Sequence, residues 1–337
     1  MNRKKDPKVV VVTGASGGVG RAAAIAFARR GTSVGLLARG EGGLAGARAD
    51  VEAAGGRALA VPTDVADFDQ VNAAAEAVER ELGPIDVWVN SAMATVFAPV
   101  SRMTAEEYRR VTEVTYLGYV HGTLAALGRM TPRNRGTIVQ VGSALAYRSI
   151  PLQSAYCTSK AAIRGFTDSL RSELIHDKSR VHITMVQMPA LNTPQFDWGR
   201  AKMPQRARPV APVYQPEVAA EAIVWSANHR RRELWVGPST VKTILAQRIA
   251  PGLGDWLAAK LAYEGQQTGE PANPSKPDNL FEPVDAVGDY GAHGDFDNEA
   301  RPRSLQLWAD THRGWSLAAA GLAGWACAAW LGNGRRA

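Results

Sequence analysis

A glycine-rich turn between two apolar runs constrains the fold of this chain most. Residues 8–12 form a short β-branched run, the sequence Thr13-Gly-Ala-Ser-Gly-Gly-Val-Gly20 follows, and residues 21–30 have the alanine-rich pattern of a helix. A strand, a glycine turn and a helix in this order are the context of a dinucleotide-binding turn. Glycines let the backbone approach a pyrophosphate, and the helix N-terminus offers free N–H groups and a favourable dipole. A turn without a ligand remains the alternative for such a motif alone.

The rest of the first 240 residues alternates short apolar runs with helical patterns. Strands are predicted at 8–13, 33–38, 57–62, 85–89, 136–142, 180–187 and 233–236. Helices are predicted at 21–30, 43–55, 67–82, 104–130, 154–177 and 216–229. This alternation favours a parallel sheet covered on both faces. We therefore predict an α/β Rossmann fold over residues 6–240, with a doubly wound, seven-stranded parallel sheet and helices on both faces.

Three polar residues at fixed spacing predict chemistry. Tyr156 and Lys160 are four residues apart and share one face of a helix, and Ser143 precedes them at a strand end. A phenol titrates near pH ~10, and a neighbouring ammonium lowers its pKa toward the working range. The hydroxyl of Ser143 is placed to hold a substrate oxygen. An ordinary surface Tyr/Lys pair is the alternative when the pair is taken alone.

Together these motifs resemble the short-chain dehydrogenase/reductase (SDR) family over residues 8–240. The resemblance rests on Thr13-Gly-x-x-x-Gly18-x-Gly20, on Asn90-Ser91-Ala92, on Ser143 and on Tyr156-x-x-x-Lys160. It implies a single-domain Rossmann fold, a nicotinamide cofactor and Tyr156 as the catalytic acid/base.

Two positions depart from the family pattern. Asn-Asn-Ala-Gly, usual in the family, is Asn90-Ser91-Ala92-Met93 here. The family's helix asparagine, which steadies a water in the proton relay, is replaced by Thr115 in Thr115-Tyr116-Leu117-Gly118. Thr115 is kept as a candidate catalytic residue, with the relay in doubt.

The resemblance also assigns residues to the cofactor. We expect NADP rather than NAD, because Arg39 ends the second strand where an acid would bind the ribose 2′-hydroxyl of NAD. Glu41, two residues on, weighs against that choice. The residues assigned to the cofactor are Gly14, Ser16, Gly18, Val19, Gly20, Arg39, Asp64, Val65, Asn90, Tyr156, Lys160, Pro189 and Thr193.

Composition and charge agree with a globular enzyme. The chain has 337 residues, of which 45% are hydrophobic and 21% charged, and a net charge of +7. A basic balance fits nucleic acid or an anionic membrane, but the arginines are scattered and carry no nucleic-acid-binding signature, so we expect no nucleic-acid partner. Two cysteines fit a reducing compartment, and the histidines show no metal-ligand spacing, so no metal site is expected. The basic N-terminus lacks a signal-peptide apolar region, which favours a cytoplasmic location.

The chain beyond residue 240 lies outside the usual family domain. Residues 241–311 are predicted to form an irregular extension, because the stretch 265–303 is rich in Pro, Gly, Asn and Asp. Residues 312–334 are predicted to form an apolar helix, within which 315–331 has a single polar residue, Ser316. Such a helix is buried in protein or in lipid, so either packing on the domain or membrane association through 315–331 fits.

The sequence thus predicts an NADP-dependent oxidoreductase that interconverts a small-molecule carbonyl and an alcohol by hydride transfer. Tyr156 is the acid/base, Lys160 lowers its pKa, and Ser143 orients the substrate oxygen. A homo-oligomer is expected. Two alternatives remain open: a low-turnover cofactor-binding scaffold or redox sensor, which Thr115 supports, and an epimerase that uses the same site.

Overall fold

The predicted parallel sheet is confirmed. The computed structural model describes residues 6–273 and 275–314. Its central sheet has seven parallel strands. These are β1 Val9–Thr13, β2 Ser33–Ala38, β3 Ala58–Pro62, β4 Val87–Asn90, β5 Thr137–Ser143, β6 His182–Met188 and β7 Glu233–Trp235.

The strand order places a cleft at one edge of the sheet. The order across the sheet is β7-β6-β5-β4-β1-β2-β3, so β1 pairs with β2 on one side and with β4 on the other. Val10 of β1 is in register with Val34 of β2 and with Val87 of β4. All strands are parallel, but the order in which consecutive strands are added across the sheet reverses at β1. Ligands of such sheets bind at the carboxyl ends of the strands beside that reversal.

Helices cover both faces of the sheet. The first six are α1 Gly18–Ala28, α2 Glu41–Ala53, α3 Phe68–Leu82, α4 Ala105–Thr112, α5 Gly118–Met130 and α6 Ser154–His176. The next four are α7 Pro216–Asn228, α8 Gly237–Ile249, α9 Pro251–Leu257 and α10 Leu305–Thr311.

The run of four valines in β1 explains the two cores. Side chains alternate across a strand, so Val10 and Val12 join the core under α1 and α7, and Val9 and Val11 join the core under α3 and α5. All four are buried, as expected for a strand covered on both faces.

One predicted helix is interrupted. The pattern predicts a single helix over 104–130, but α4 and α5 are separated by a π-helical turn, Glu113–Leu117. The turn inserts an extra residue per hydrogen-bonded ring, so it displaces the residues around Thr115 from the positions of a regular helix. Such turns are frequent at functional sites.

The extension predicted to be irregular over 241–311 also contains helices. Residues 237–257 form α8 and α9, each with a proline in its first turn, where a missing N–H costs nothing. Short pieces of structure also occur within residues 194–212. They are a helical turn, Gln195–Trp198, and the strands Arg200–Ala201 and Gln205–Ala207.

Beyond α9 the chain returns to the half of the domain that contains α1 and α2. Residues 267–271 pair with the strand Gln205–Ala207, and α10 packs its buried Leu307 into the core under α1 and α7. Between them, residues 278–294, here called the strap, run along α1, α2 and the end of β2.

The predicted apolar helix over 312–334 cannot be compared in full, because residues 315–337 lie outside the described residues. Within residues 6–273 and 275–314, no helix is long and apolar enough to span a bilayer.

Candidate active site

The carboxyl ends of β1, β4, β5 and β6 open into one cleft with a volume of about 530 Å³. The glycine turn forms one end of it, and Ser143, Tyr156, Lys160 and Thr193 line another part. Residues from four separate parts of the sequence therefore share one cavity, as the motif spacing requires.

The glycine turn is built so closely that side chains cannot replace its glycines. Gly14 has a φ of +67°, and a methyl group on it would lie 2.7 Å from the Cα of Ala92. A methyl group on Gly20 would overlap the carbonyl of Gly14. Thr13 steadies the neighbouring turn, because its hydroxyl accepts hydrogen bonds from the N–H groups of Ser91 and Ala92 at 3.0 and 3.2 Å.

Tyr156 and Lys160 project from the first turns of α6 toward the cleft. The Ser143 hydroxyl forms a hydrogen bond with the Tyr156 hydroxyl, and Lys160 Nζ lies 5.6 Å from the centre of the Tyr156 ring. Burial raises the pKa of the Tyr156 phenol, and the hydrogen bond from Ser143 opposes that rise. The phenol is therefore protonated at neutral pH.

Lys160 is a buried ammonium with two oxygen partners. Its side chain is only 2% exposed, and Nζ donates to the Val141 carbonyl at 2.7 Å and to the Tyr119 hydroxyl at 2.8 Å. Burial lowers the pKa of Lys160 to about 7. Its charge at neutral pH thus depends on the oxygens that face it.

Thr115, a candidate catalytic residue, does not hydrogen-bond to Lys160; Tyr119 does. The Thr115 hydroxyl bonds the N–H and the carbonyl of Ala94, both at 2.9 Å, so it ties the π-helical turn to the loop after β4. Tyr119, four residues later, is 1% exposed and donates its hydroxyl proton to the Val141 carbonyl at 2.9 Å. The hydroxyl that reaches Lys160 belongs to Tyr119, a residue that sequence reasoning missed.

The side chain of Asn90, one of the residues assigned to the cofactor, lies beneath the cleft and does not line it. Its side chain is fully buried, and Nδ2 donates to Gln140 Oε1 at 2.9 Å and to Thr123 Oγ1 at 3.2 Å. Trp88 Nε1 donates to Asn90 Oδ1 at 2.8 Å. These bonds join β4, β5 and α5 beneath the cleft, so the position of Asn90 gives it a structural role.

The residues assigned to the adenosine half line the opposite end of the cleft. Asp64 follows β3, and its carboxylate accepts from Arg110 Nη2 at 2.6 Å. Arg39 ends β2 and donates to the Phe281 carbonyl at 2.5 Å and to the Asn279 carbonyl. Burial, and then the like charge of Arg110, lower the pKa of Arg39. Pro189, Thr193, Ser16, Val19 and Val65 also line this cleft.

The strap was the second feature missed at this site. Besides Asn279 and Phe281, it places the Gly291 carbonyl on the N–H of Gly18, at 3.1 Å, and pairs Asp289 with Arg21. Nothing local to residues 278–294 predicts these partners, because they are more than 200 residues away in the sequence.

Comparison with known proteins identifies the family. A sequence profile described as "short chain dehydrogenase" matches residues 8–202. The chain belongs to the short-chain dehydrogenase family. It is an oxidoreductase of that family, whose members act on small-molecule substrates and use NAD(P).

Relatives of this short-chain dehydrogenase include chains with the extension. The chain is 31% identical over 331 residues to the uncharacterized oxidoreductase YxnA of Bacillus subtilis (strain 168), covering 97% of this chain and 92% of that protein. It is 32% identical over 257 residues to the probable oxidoreductase EphD of Mycobacterium bovis, covering 72% of this chain and 43% of EphD. The former match extends beyond the Rossmann domain into the strap.

A solved structure shares the fold. A short-chain dehydrogenase/reductase from Burkholderia phymatum, crystallised in complex with NAD, superposes with a TM-score of 0.68 and 24% identity. The superposition covers 76% of this chain and 97% of that one.

Proposed function

We propose that this short-chain dehydrogenase interconverts a carbonyl and an alcohol with a nicotinamide cofactor. The observation that carries the proposal is the convergence of Ser143, Tyr156 and Lys160 in one cleft with the glycine turn. A hydroxyl, a protonated phenol and a buried ammonium at one point suit proton transfer to a substrate oxygen.

The residues of the cleft fit a dinucleotide. Gly14 and Gly20 permit the tight turn and the close packing of α1 against the end of β1, because side chains there would overlap neighbouring main chain. This packing brings the N-terminus of α1 to the cleft, where a pyrophosphate would bind. Ser16, Val19 and Thr193 would line the phosphate and nicotinamide portions, and Asp64 and Val65 the adenine. When bound, the nicotinamide supplies or accepts the hydride.

Tyr156 would carry the proton. In the reductive direction its hydroxyl gives a proton to the carbonyl oxygen, and in the oxidative direction its phenolate takes a proton from the alcohol. Tyr156 is protonated at neutral pH, so its hydroxyl has the proton that the reductive direction requires. Ser143, already hydrogen-bonded to Tyr156, would hold the same substrate oxygen.

Lys160 would favour the phenolate through its positive charge. Its pKa of about 7 means that the ammonium is fully formed only below that pH, and that its support weakens as the pH rises. The Tyr119 hydroxyl accepts a hydrogen bond from Lys160 Nζ. A neutral or a charged amine can donate this bond, but the oxygen lone pair of Tyr119 stabilises the charged form more. We assign Tyr119 as a positioning residue for Lys160, in a family member that has Thr115 in place of the asparagine.

NADP is the proposed cofactor. Arg39 places a guanidinium at the end of β2, where a 2′-phosphate of the adenosine ribose would lie. Its hydrogen bonds to two carbonyls hold the side chain in place without neutralising it.

The substrate half of the cleft favours a largely apolar carbonyl compound. Its lining includes Leu145, Ile150, Phe196, Val210, Leu257 and Leu261. Two polar side chains of the lining, Arg148 and Gln247, are hydrogen-bonded to each other at 3.0 Å, and Arg148 also pairs with Asp255 at 2.7 Å. An apolar body with one polar carbonyl at Ser143 and Tyr156 matches this distribution.

A substrate screen tests the proposal. Aliphatic and aromatic ketones, aldehydes and alcohols of increasing length would be assayed through NADPH absorbance, with Tyr156→Phe as the inactive control. Turnover that rises with apolar length and vanishes in Tyr156→Phe is expected. NADPH binding without turnover on any carbonyl or alcohol would favour a cofactor-binding scaffold instead.

A further inference from the structure

The strap brings a carboxylate into the pocket that holds Arg39. Ser16, Arg39, Gly43 and Asp285 line a small cavity beside the main cleft. The Asp285 carboxylate accepts a hydrogen bond from the N–H of Gly43 at 2.7 Å. Asp285 is therefore held in one place, next to the guanidinium that we assign to the 2′-phosphate.

The first turn of α2 is shaped around this aspartate. A methyl group on Gly40 would overlap the Asp285 carboxylate, and a methyl group on Gly42 would lie 2.8 Å from the Asp285 carbonyl oxygen. Gly43 supplies the N–H that the carboxylate accepts. Gly40 is the N-cap residue of α2, and Gly42 and Gly43 lie in its first turn. Inside a helix, a glycine costs about 1 kcal/mol relative to alanine. The positions of these three glycines match the space that Asp285 occupies.

The backbone of the strap fixes the same arrangement from the other side. Arg39 donates to the carbonyls of Asn279 and Phe281, and Arg110 Nε donates to the Leu280 carbonyl at 3.1 Å. Leu280 is fully buried, so this part of the strap is anchored in the core under α3 and α5. The cation and the carboxylate are held in the same pocket by one segment.

These two charges have opposite effects on the two nicotinamide cofactors. A 2′-phosphate carries about −1.5 to −2 charges, so Arg39 attracts it and a carboxylate in the same pocket repels it. A ribose 2′-hydroxyl is neutral and can donate a hydrogen bond to a carboxylate, as it does to the acid that ends the second strand in NAD-binding folds. In this chain that strand ends with Ala38 and Arg39, and the acid comes from the strap.

We propose that Asp285 is a cofactor-selectivity residue, whose carboxylate opposes the 2′-phosphate that Arg39 attracts. The inference rests on the proposed use of a nicotinamide cofactor and extends it. The relative affinity for NADP and NAD then depends on two opposing effects: attraction of the 2′-phosphate by Arg39, at the end of β2, and its repulsion by Asp285, in the C-terminal extension.

Cofactor titration tests this balance without relying on turnover. Dissociation constants for NADPH and NADH would be measured by fluorescence for the full chain and for Asp285→Asn, which keeps the size of the side chain and an oxygen for the Gly43 N–H. Asp285→Ser, a second neutral variant, guards against a poorly folded first one, and thermal melting checks both. Glu52→Gln removes an exposed charge from the far end of α2, and Asp289→Asn removes the strap's ion pair with Arg21.

We expect Asp285→Asn and Asp285→Ser to raise the ratio of NADPH affinity to NADH affinity about tenfold, the effect of removing one like charge from a partly buried pocket. Glu52→Gln should change the ratio less than threefold, and Asp289→Asn should move both affinities together. An unchanged ratio in the Asp285 variants, an equal loss of both cofactors, or an equal rise in Glu52→Gln would overturn the assignment. A parent chain that binds neither cofactor would overturn the proposed function as well, so the two failures are distinct.

Discussion

Replacing Tyr119 by phenylalanine tests how the site holds the charge of Lys160. The change removes one oxygen and leaves the ring, which lies in a fully packed position with 1% exposure. Lys160 Nζ then keeps only the Val141 carbonyl, at 2.7 Å, as a hydrogen-bond acceptor among the described residues. Losing this acceptor destabilises the ammonium form of Lys160 more than the neutral amine, because a buried charged donor depends most on its acceptors.

The size of the effect follows from that lost bond. Leaving a buried donor without its partner costs about 1–3 kcal/mol, and one pKa unit corresponds to about 1.4 kcal/mol. The pKa of Lys160, about 7 in the parent, should therefore fall by about 1–2 units. A less charged Lys160 supports the Tyr156 phenolate less, so the apparent pKa for alcohol oxidation should rise and activity at pH 7–8 should fall about tenfold.

The assay is kcat/KM for alcohol oxidation between pH 6 and 10, in parent and variant. Tyr116→Phe is the matched control, since it makes the same chemical change three residues earlier, on a side chain that packs against the same apolar cluster. We expect the rising limb of the Tyr119→Phe profile to move to higher pH and that of Tyr116→Phe to stay in place. A Tyr119→Phe profile that superimposes on the parent's would refute the positioning role of Tyr119.

Three further variants test other residues of the site. Tyr156→Phe should lower turnover by about 10²–10⁴-fold while NADPH titration shows retained binding; turnover within tenfold of the parent would remove Tyr156 from the acid/base role. Arg39→Ala should weaken NADPH binding on the order of tenfold to a hundredfold and leave NADH binding within about threefold, and equal losses of both would contradict the assignment. Lys160→Met should raise the melting temperature, and more so at pH 6 than at pH 9. The native pKa of Lys160, about 7, lies below its ordinary value of 10.5, so the cost of burying its charge is complete below pH 7 and declines as the pH rises. A melting temperature that rises equally at both pH values would contradict that account.

The parts of the site that the sequence predicted are those set by short-range geometry. The valines of β1 and the glycines after it lie within twelve residues, and Tyr156 and Lys160 share one turn of α6. Strand, turn and helix follow from local sterics and side-chain periodicity, so a linear pattern is enough to place them.

Tyr119 and Asn90 show where local pattern fails. The family pattern places the asparagine of the proton relay at position 115, but the Thr115 hydroxyl, in the π-helical turn, bonds Ala94, and the hydroxyl that reaches Lys160 is that of Tyr119. Asn90 ends β4 in a motif that suggests a cofactor contact, yet its amide nitrogen donates hydrogen bonds to Gln140 and Thr123 on neighbouring elements. Both outcomes depend on which partners the tertiary structure brings within hydrogen-bond distance.

The strap gives a physical reason for a feature of α2 that the sequence left unexplained. Gly42, Gly43 and Gly46 lie inside α2, where glycine is a poor helix former, and a helix without them would be more stable in isolation. Gly40 is the N-cap residue. Side chains at Gly40 and Gly46 would overlap the carboxylates of Asp285 and Asp289, respectively. The helix therefore gives up intrinsic stability in exchange for close contact with a segment that arrives from the end of the chain. Substituting alanine at Gly46, inside α2, separates the two contributions: it should favour the helix locally and displace the strap, because its methyl group would overlap the Asp289 carboxylate. Greater protease sensitivity of the strap with an unchanged Rossmann domain is the expected result. Equal protection of the strap in parent and variant would show that these glycines serve another purpose.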